Sequence, residues 1–158
     1  MKLKIRKNVL SEALNNVSKA LSSKNIVPIL SGIKFNLTKE KLILTASDND
    51  ITIQTEIEKS EDLEILKTGS IVIKGKYIID IIRKLDSEFI NMEIVDDYKV
   101  LIYTENSEFN LNGIDAREYP PIDLSLNDDF ISLSIKDFKN IINQTNYASS
   151  TDESRIVL

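Results

Sequence analysis

The chain repeats its own opening. Residues 3–20 read LKIRKNVLSEALNNVSKA and residues 131–148 read ISLSIKDFKNIINQTNYA. At a constant offset of 128 positions, Leu3 falls on Ile131, Ile5 on Leu133, Leu10 on Phe138, Ala13 on Ile141 and Leu14 on Ile142. Each copy is a short alternating segment that runs into a helix with one apolar face, so the spacing predicts one supersecondary unit used twice. A chain of 158 residues holds one domain with a sizeable core, and not comfortably two. The expectation is therefore a complete domain over 1–114, a linker over 115–127 containing Pro120 and Pro121, and the first strand and helix of a second copy over 128–158.

Within the first copy, Leu3 and Ile5 alternate with Lys2, Lys4 and Arg6 and predict a strand. Asn8 is placed to cap a helix running to about residue 20, with Val9, Leu10, Ala13, Leu14 and Val17 as its apolar stripe. A loop, SSKNIVP, follows, and Pro28 argues against helix there. Period-two segments then carry Ile33, Phe35 and Leu37, next Leu42 and Leu44, then Ile51 and Ile53. Residues 58–68 read as an acidic connector. A strand at 70–73 leads into a second helix over about 76–85, striped by Ile78, Ile81, Ile82 and Leu85. Three more strands are expected near 89–95, 99–104 and 107–112. Many antiparallel strands with two amphipathic helices packed on one face make an α+β domain.

The available chemistry is narrow. The chain has no Cys and no His, which removes thiolate chemistry and disulfides together with the commonest general base and metal ligand. The four glycines are isolated, so no phosphate-cradling loop is present. Asp48 and Asp50 begin like a calcium loop, but Ile53 stands where that loop needs glycine. No apolar run matches a membrane span and no signal-peptide core is seen, so a cytoplasmic location is expected. These features point to a binding module that needs neither cofactor nor metal, and not to an enzyme.

Charge gives the binding clue. The formal net charge is −5, yet residues 1–34 hold seven Lys/Arg against Glu12 alone. Residues 74–84 form a second basic island, with Lys74, Lys76, Arg83 and Lys84 against Asp80. Lysines on flexible stems in an acidic protein suit phosphate contact that is salt-sensitive and blind to base sequence.

The opening MKLKIRKNVLSEALNNVSKALSSKNIVPIL, the stretch LILTASDNDITIQTEI, the helix KYIIDIIRKL, the segment FNLNGIDAREYPPI and the terminal YASSTDESRIVL resemble the bacterial DNA polymerase III beta subunit, the DNA sliding clamp, in collinear order over the whole chain. The resemblance implies a non-catalytic subunit with three similar domains per chain, of which two copies close head to tail into a ring around duplex DNA. Helices then face the DNA and sheets form the rim. By the same resemblance, Lys24 and Lys76 match basic DNA-facing positions, with Lys for the commoner Arg; the helix periodicity, apart from the resemblance, places Arg83 and Lys84 on the same outward face as Lys76. Tyr77 and Phe109 match the edge that meets a second copy of the full-length clamp. Arg155 and Leu158 match the near wall of a cleft that receives peptide motifs from the polymerase III alpha subunit and the clamp loader. Asp152, Ile156 and Val157 depart from the family pattern, which puts DNA contact by the second copy in doubt. Two other readings are carried: an adaptor that pairs a partner with an open sheet edge such as the strand of Phe109, and, less favoured, a metal-dependent nuclease using Asp48 and Asp50.

Overall fold

A computed structural model describes residues 1–21, 27–122 and 131–149. It divides into two units, Met1–Ile122 and Asp123–Leu158, taken separately below.

The first unit opens with strand β1 (Lys2–Arg6), which passes without a turn into helix α1 (Lys7–Val17) and a single 3-10 turn, Ser18–Ala20. After a second 3-10 turn at Pro28–Ser31 come β2 (Gly32–Leu37), β3 (Lys41–Ser47), β4 (Thr52–Glu58), β5 (Leu63–Lys67) and β6 (Gly69–Lys74). Helix α2 (Gly75–Lys84) follows, then β7 (Phe89–Asp96), β8 (Lys99–Tyr103) and β9 (Glu108–Ile114). All the ladders between these strands are antiparallel, in the order β4-β3-β2-β6-β9-β8-β7-β1-β5. Strand β9 joins the two halves: Glu108–Asn112 pair with β8, and only Gly113 and Ile114 pair with β6.

Period-two alternation sends one side chain in two to a single core. Leu3 and Ile5, Ile33, Phe35 and Leu37, Leu42 and Leu44, Ile71 and Ile73, Ile90 and Met92, and Val100 and Ile102 are all buried. Leu10, Ala13, Leu14 and Val17 of α1, with Ile78 and Ile82 of α2, close the same cluster. Helix α1 packs on β3 and β4, α2 on β6 and β2, and the helices pack on each other. They run antiparallel. The Lys7 ammonium donates to the Leu85 carbonyl at the end of α2, while Leu21, just past α1, lies against Gly75 at its start. A Cβ at Gly75 would stand 2.4 Å from the Leu21 Cδ1, so this approach depends on a residue without a side chain.

Several expectations are corrected. Arg6, not Asn8, is the N-cap residue of α1, and no side chain caps the helix; Lys7 N–H instead donates to the Glu88 carbonyl, because β1 delivers the chain directly against the α2–β7 connection. Pro28 starts a 3-10 turn, since proline at the first position gives up only an amide that has no intrahelical partner. The acidic connector contains β5, which pairs along β1. Residues 115–122 are more than a linker: Ala116–Glu118 form a 3-10 turn, and Ala116 and Tyr119 are buried with Ile29, Leu30 and Val72 in a satellite core.

In the second unit, α3 (Ile135–Thr145) forms where the repeat places it, capped by the Ser134 hydroxyl accepting from Asp137 N–H at 3.1 Å. The expected strand over 131–134 carries no ladder among the described residues. Its counterpart β1 is a strand because β5 and β7 flank it on both sides, and no described segment does this for 131–134. Accordingly Ile131, Leu133, Ile135, Phe138, Ile141 and Ile142 stay exposed.

Candidate nucleic-acid interface

The antiparallel helix pair decides where the basic residues of the first unit point. The stripe Ile78–Ile82 faces inward, so positions offset by about half a turn must face out; Lys76, Arg83 and Lys84 are exposed there. Lys76 and Arg83 lie seven residues apart, about 10 Å along the helix axis. Asp80, between them, is half-buried. On α1 the outward face is Asn8, Glu12, Asn15 and Asn16, with Lys19 on the 3-10 turn that ends it. Because the helices are antiparallel, Lys19 falls at the Lys76 end and Lys7 at the Arg83–Lys84 end. Lysine and arginine in the last turn of α2 also complement its dipole.

On the sheet, part of the basic charge is paired with carboxylates. The ion pairs among the described residues are Lys2–Glu93, Arg6 with Asp62 and Glu88, Lys41–Glu56 and Arg117–Asp115. Every base in them comes from β1, β3 or the segment after β9, and none from the outer face of the helix pair. Glu56, Glu58, Glu64, Asp96, Asp97, Glu105 and Glu108 are exposed on the strands and their turns. The helix face therefore offers bases not engaged in those pairs, as the exposed strand residues Lys4, Lys67, Lys74 and Lys99 also do, and it gathers Lys76, Arg83 and Lys84 on one helix of a chain whose net charge is −5.

Phe109 sits at a second kind of surface. It lies opposite Ile102 in the β8–β9 ladder, so the two point to the same side, and Ile102 is fully buried. Phe109 nevertheless remains 37% exposed. It is a core-facing residue at a place where the core is not closed. The other edge of β9 over 108–112 has no paired strand among the described residues, since the β6 ladder reaches only 113 and 114. Tyr77, in the first turn of α2, is 51% exposed, with the Lys74 ammonium 5.5 Å from its ring centre.

The structure thus brings Lys76, Arg83 and Lys84 onto one helix and leaves Tyr77 and Phe109 exposed on α2 and β9. Lys24, Arg155 and Leu158 lie outside the described residues, as do Asp152, Ile156 and Val157. Asp48 and Asp50 sit in the β3–β4 hairpin turn, where Asp48 Oδ1 accepts the Asp50 and Ile51 amides at 3.1 and 2.8 Å. No group of three potential metal ligands occurs among the described residues. No described helix is long and apolar enough to cross a membrane. Sequence reasoning missed Gly75 as the seat for Leu21, and missed Tyr119. The only sequence signal for Gly75 was an isolated glycine at a strand–helix junction.

The same architecture occurs in solved structures. The DNA polymerase sliding clamp from Bacillus subtilis superposes with a TM-score of 0.92 at 37% identity, covering 98% of this chain and 42% of that one. The beta subunit from the DNA polymerase of Streptococcus pyogenes gives 0.93 at 32% identity, covering 100% and 42%. Fold and helix pair together define an α+β domain of the DNA-clamp class. In sequence, the family described as "DNA polymerase III beta subunit, N-terminal domain" matches residues 1–123. The beta sliding clamps of Staphylococcus epidermidis and Staphylococcus aureus are 41% and 40% identical across the whole chain. The chain belongs to the DNA polymerase III beta subunit family, and spans about 43% of the length of these curated relatives.

Proposed function

We propose that the protein carrying this chain is a sliding clamp of the bacterial replicase: a non-catalytic, cytoplasmic ring that encircles duplex DNA and tethers the polymerase. In this reading Met1–Ile122 is the first clamp domain, the residues from 123 lead into the second, and α3 begins the repeat. The observation that carries it is the separation of charge. The bases on the outer face of the α1–α2 pair stand outside the described ion pairs, while Lys2, Arg6 and Lys41 of the sheet are paired with carboxylates. A ring needs only weak contacts, because topology supplies the retention, and unpaired lysines on helices supply contacts of that kind.

Lys24, Lys76, Arg83 and Lys84 act as the phosphate-facing residues. The open edge of β9 with Phe109, together with Tyr77, forms the surface that meets a second copy of the full-length clamp. Arg155 and Leu158 contribute to the cleft that receives peptides from the polymerase alpha subunit and the clamp loader. The adaptor reading draws on the same β9 edge, but leaves the basic helix face without a role.

The test is a Lys24→Ala, Lys76→Ala double variant of the complete protein, with duplex binding measured against salt. In a two-chain ring the variant removes two candidate phosphate contacts per chain, four in all, which lowers the magnitude of the slope of log K against log salt by up to about 3.6. Ring assembly stays intact. An unchanged slope, or loss of the dimer, contradicts this division of roles.

A further inference from the structure

The satellite core sits on the side of the sheet away from the main core. In β6, Ile71 and Ile73 point into the main core and Val72 points out. Two segments distant in sequence cover Val72: the 3-10 turn Pro28–Ser31, through Ile29 and Leu30, and the strap 115–122, through Ala116 and Tyr119, with Val27 and Ile122 at the margin. Gly32 lets the first press close, since a Cβ there would stand 2.5 Å from Val72 Cγ1. The strap is tied at its start. Asp115 Oδ1 accepts the Arg117 amide at 2.9 Å, and the Tyr98 hydroxyl donates to Asp115 Oδ2 at 2.8 Å.

Tyr119 is the largest side chain of this small core. It is 4% exposed, and the Lys34 ammonium lies 5.7 Å from its ring centre. Its hydroxyl is buried beside the Ser47 backbone, and no described protein group meets it with hydrogen-bond geometry. Because the satellite shares no side chain with the main core, it can open without unfolding the domain, as local units of low stability do.

We propose that Tyr119 is a latch that couples the strap leading to the second unit with the turn at Pro28–Ser31, so that the two open and close together. The turn directly follows the segment that carries Lys24, and the strap directly precedes residue 123. A pull on the strap is thereby transmitted to the root of that basic segment. What the coupling serves rests on the DNA-facing reading of Lys24. The coupling itself does not, and its test uses no DNA.

The test is amide hydrogen exchange on the 158-residue chain and on two variants. The reporters are the Leu30 and Gly32 amides of the turn, bonded to the Val27 and Ile29 carbonyls, and the Glu118 amide of the strap, bonded to Asp115. In Tyr119→Ala, turn and strap exchange faster by the same factor, at least about tenfold, while α1 and α2 keep their wild-type rates. In Tyr119→Phe, which keeps the ring and removes the hydroxyl, both segments keep their rates or slow together. Faster exchange in the strap with the turn unchanged overturns the proposal. So does equal acceleration in α1 and α2, or loosening of a single segment in the phenylalanine variant.

Discussion

Truncation of Phe109 should weaken ring closure far more than a surface residue could. A phenylalanine side chain presents about 200 Å². The 37% still exposed in the single chain leaves about 75 Å² for a second copy to cover. At about 25 cal/mol per Å², that is about 1.9 kcal/mol per interface. In the proposed two-chain ring two such interfaces close, so Phe109→Ala in the complete protein loses up to about 4 kcal/mol of association. That corresponds to several hundredfold in dimer Kd. The part already buried costs folding stability as well, about 3 kcal/mol by the same area argument. The two losses separate experimentally: sedimentation at graded concentrations reads the dimer constant, and denaturant unfolding of the 158-residue chain reads the fold. A dimer constant within threefold of wild type, with folding stability reduced as expected, would show that the open face of β9 is not the contact surface.

Other outcomes follow from burial and titration. Leu10→Ala, in the main core, should cost about 2–5 kcal/mol, whereas Phe138→Ala, its counterpart 128 positions on, should cost less than about 1 kcal/mol in this chain, because Phe138 is 53% exposed; comparable losses would mean that the α3 stripe is covered. Burial raises the Tyr119 phenol pKa, so its contribution is fully present below the ordinary tyrosine value near 10 and fades as pH rises through the raised one. Tyr119→Phe should therefore flatten part of the alkaline fall in unfolding midpoint that lysines alone leave; parallel curves for the two proteins would place the phenol in water. The Arg117 guanidinium, with the Arg117 amide and the Tyr98 hydroxyl, holds the Asp115 carboxyl well below the usual carboxylate range. Its stabilisation is present above about pH 4 and lost as pH falls towards the depressed value, and Asp115→Asn should remove that acid dependence from exchange in the strap.

The main core was legible because alternation of Ile33, Phe35 and Leu37 with Lys34 and Asn36 has one physical solution, a half-buried strand. The helix stripes were legible for the same reason, and with them the outward placement of Lys76, Arg83 and Lys84. β5 was not. Its acidic and lysine residues suit an exposed edge strand, and that composition hides Leu63 and Ile65 among the turn residues around them. Tyr119 was hidden by its neighbours, since two prolines announce a loop and say nothing of what the loop covers. The strand expected over 131–134 shows the limit of the repeat argument. Pattern gives a segment its preference, but ladder partners make it a strand, and those belong to other parts of the chain. Charge sorting was visible as a count; only the antiparallel packing of α1 and α2 turned it into a face.

The central claim is retention by topology. The most direct measurement is retention of the protein translated from the complete reading frame containing these residues, loaded onto nicked circular duplex and passed through a sizing column before and after the circle is cut. The account predicts co-elution with the circle and release on linearisation. Equal retention on circle and linear duplex, or on neither, would contradict it.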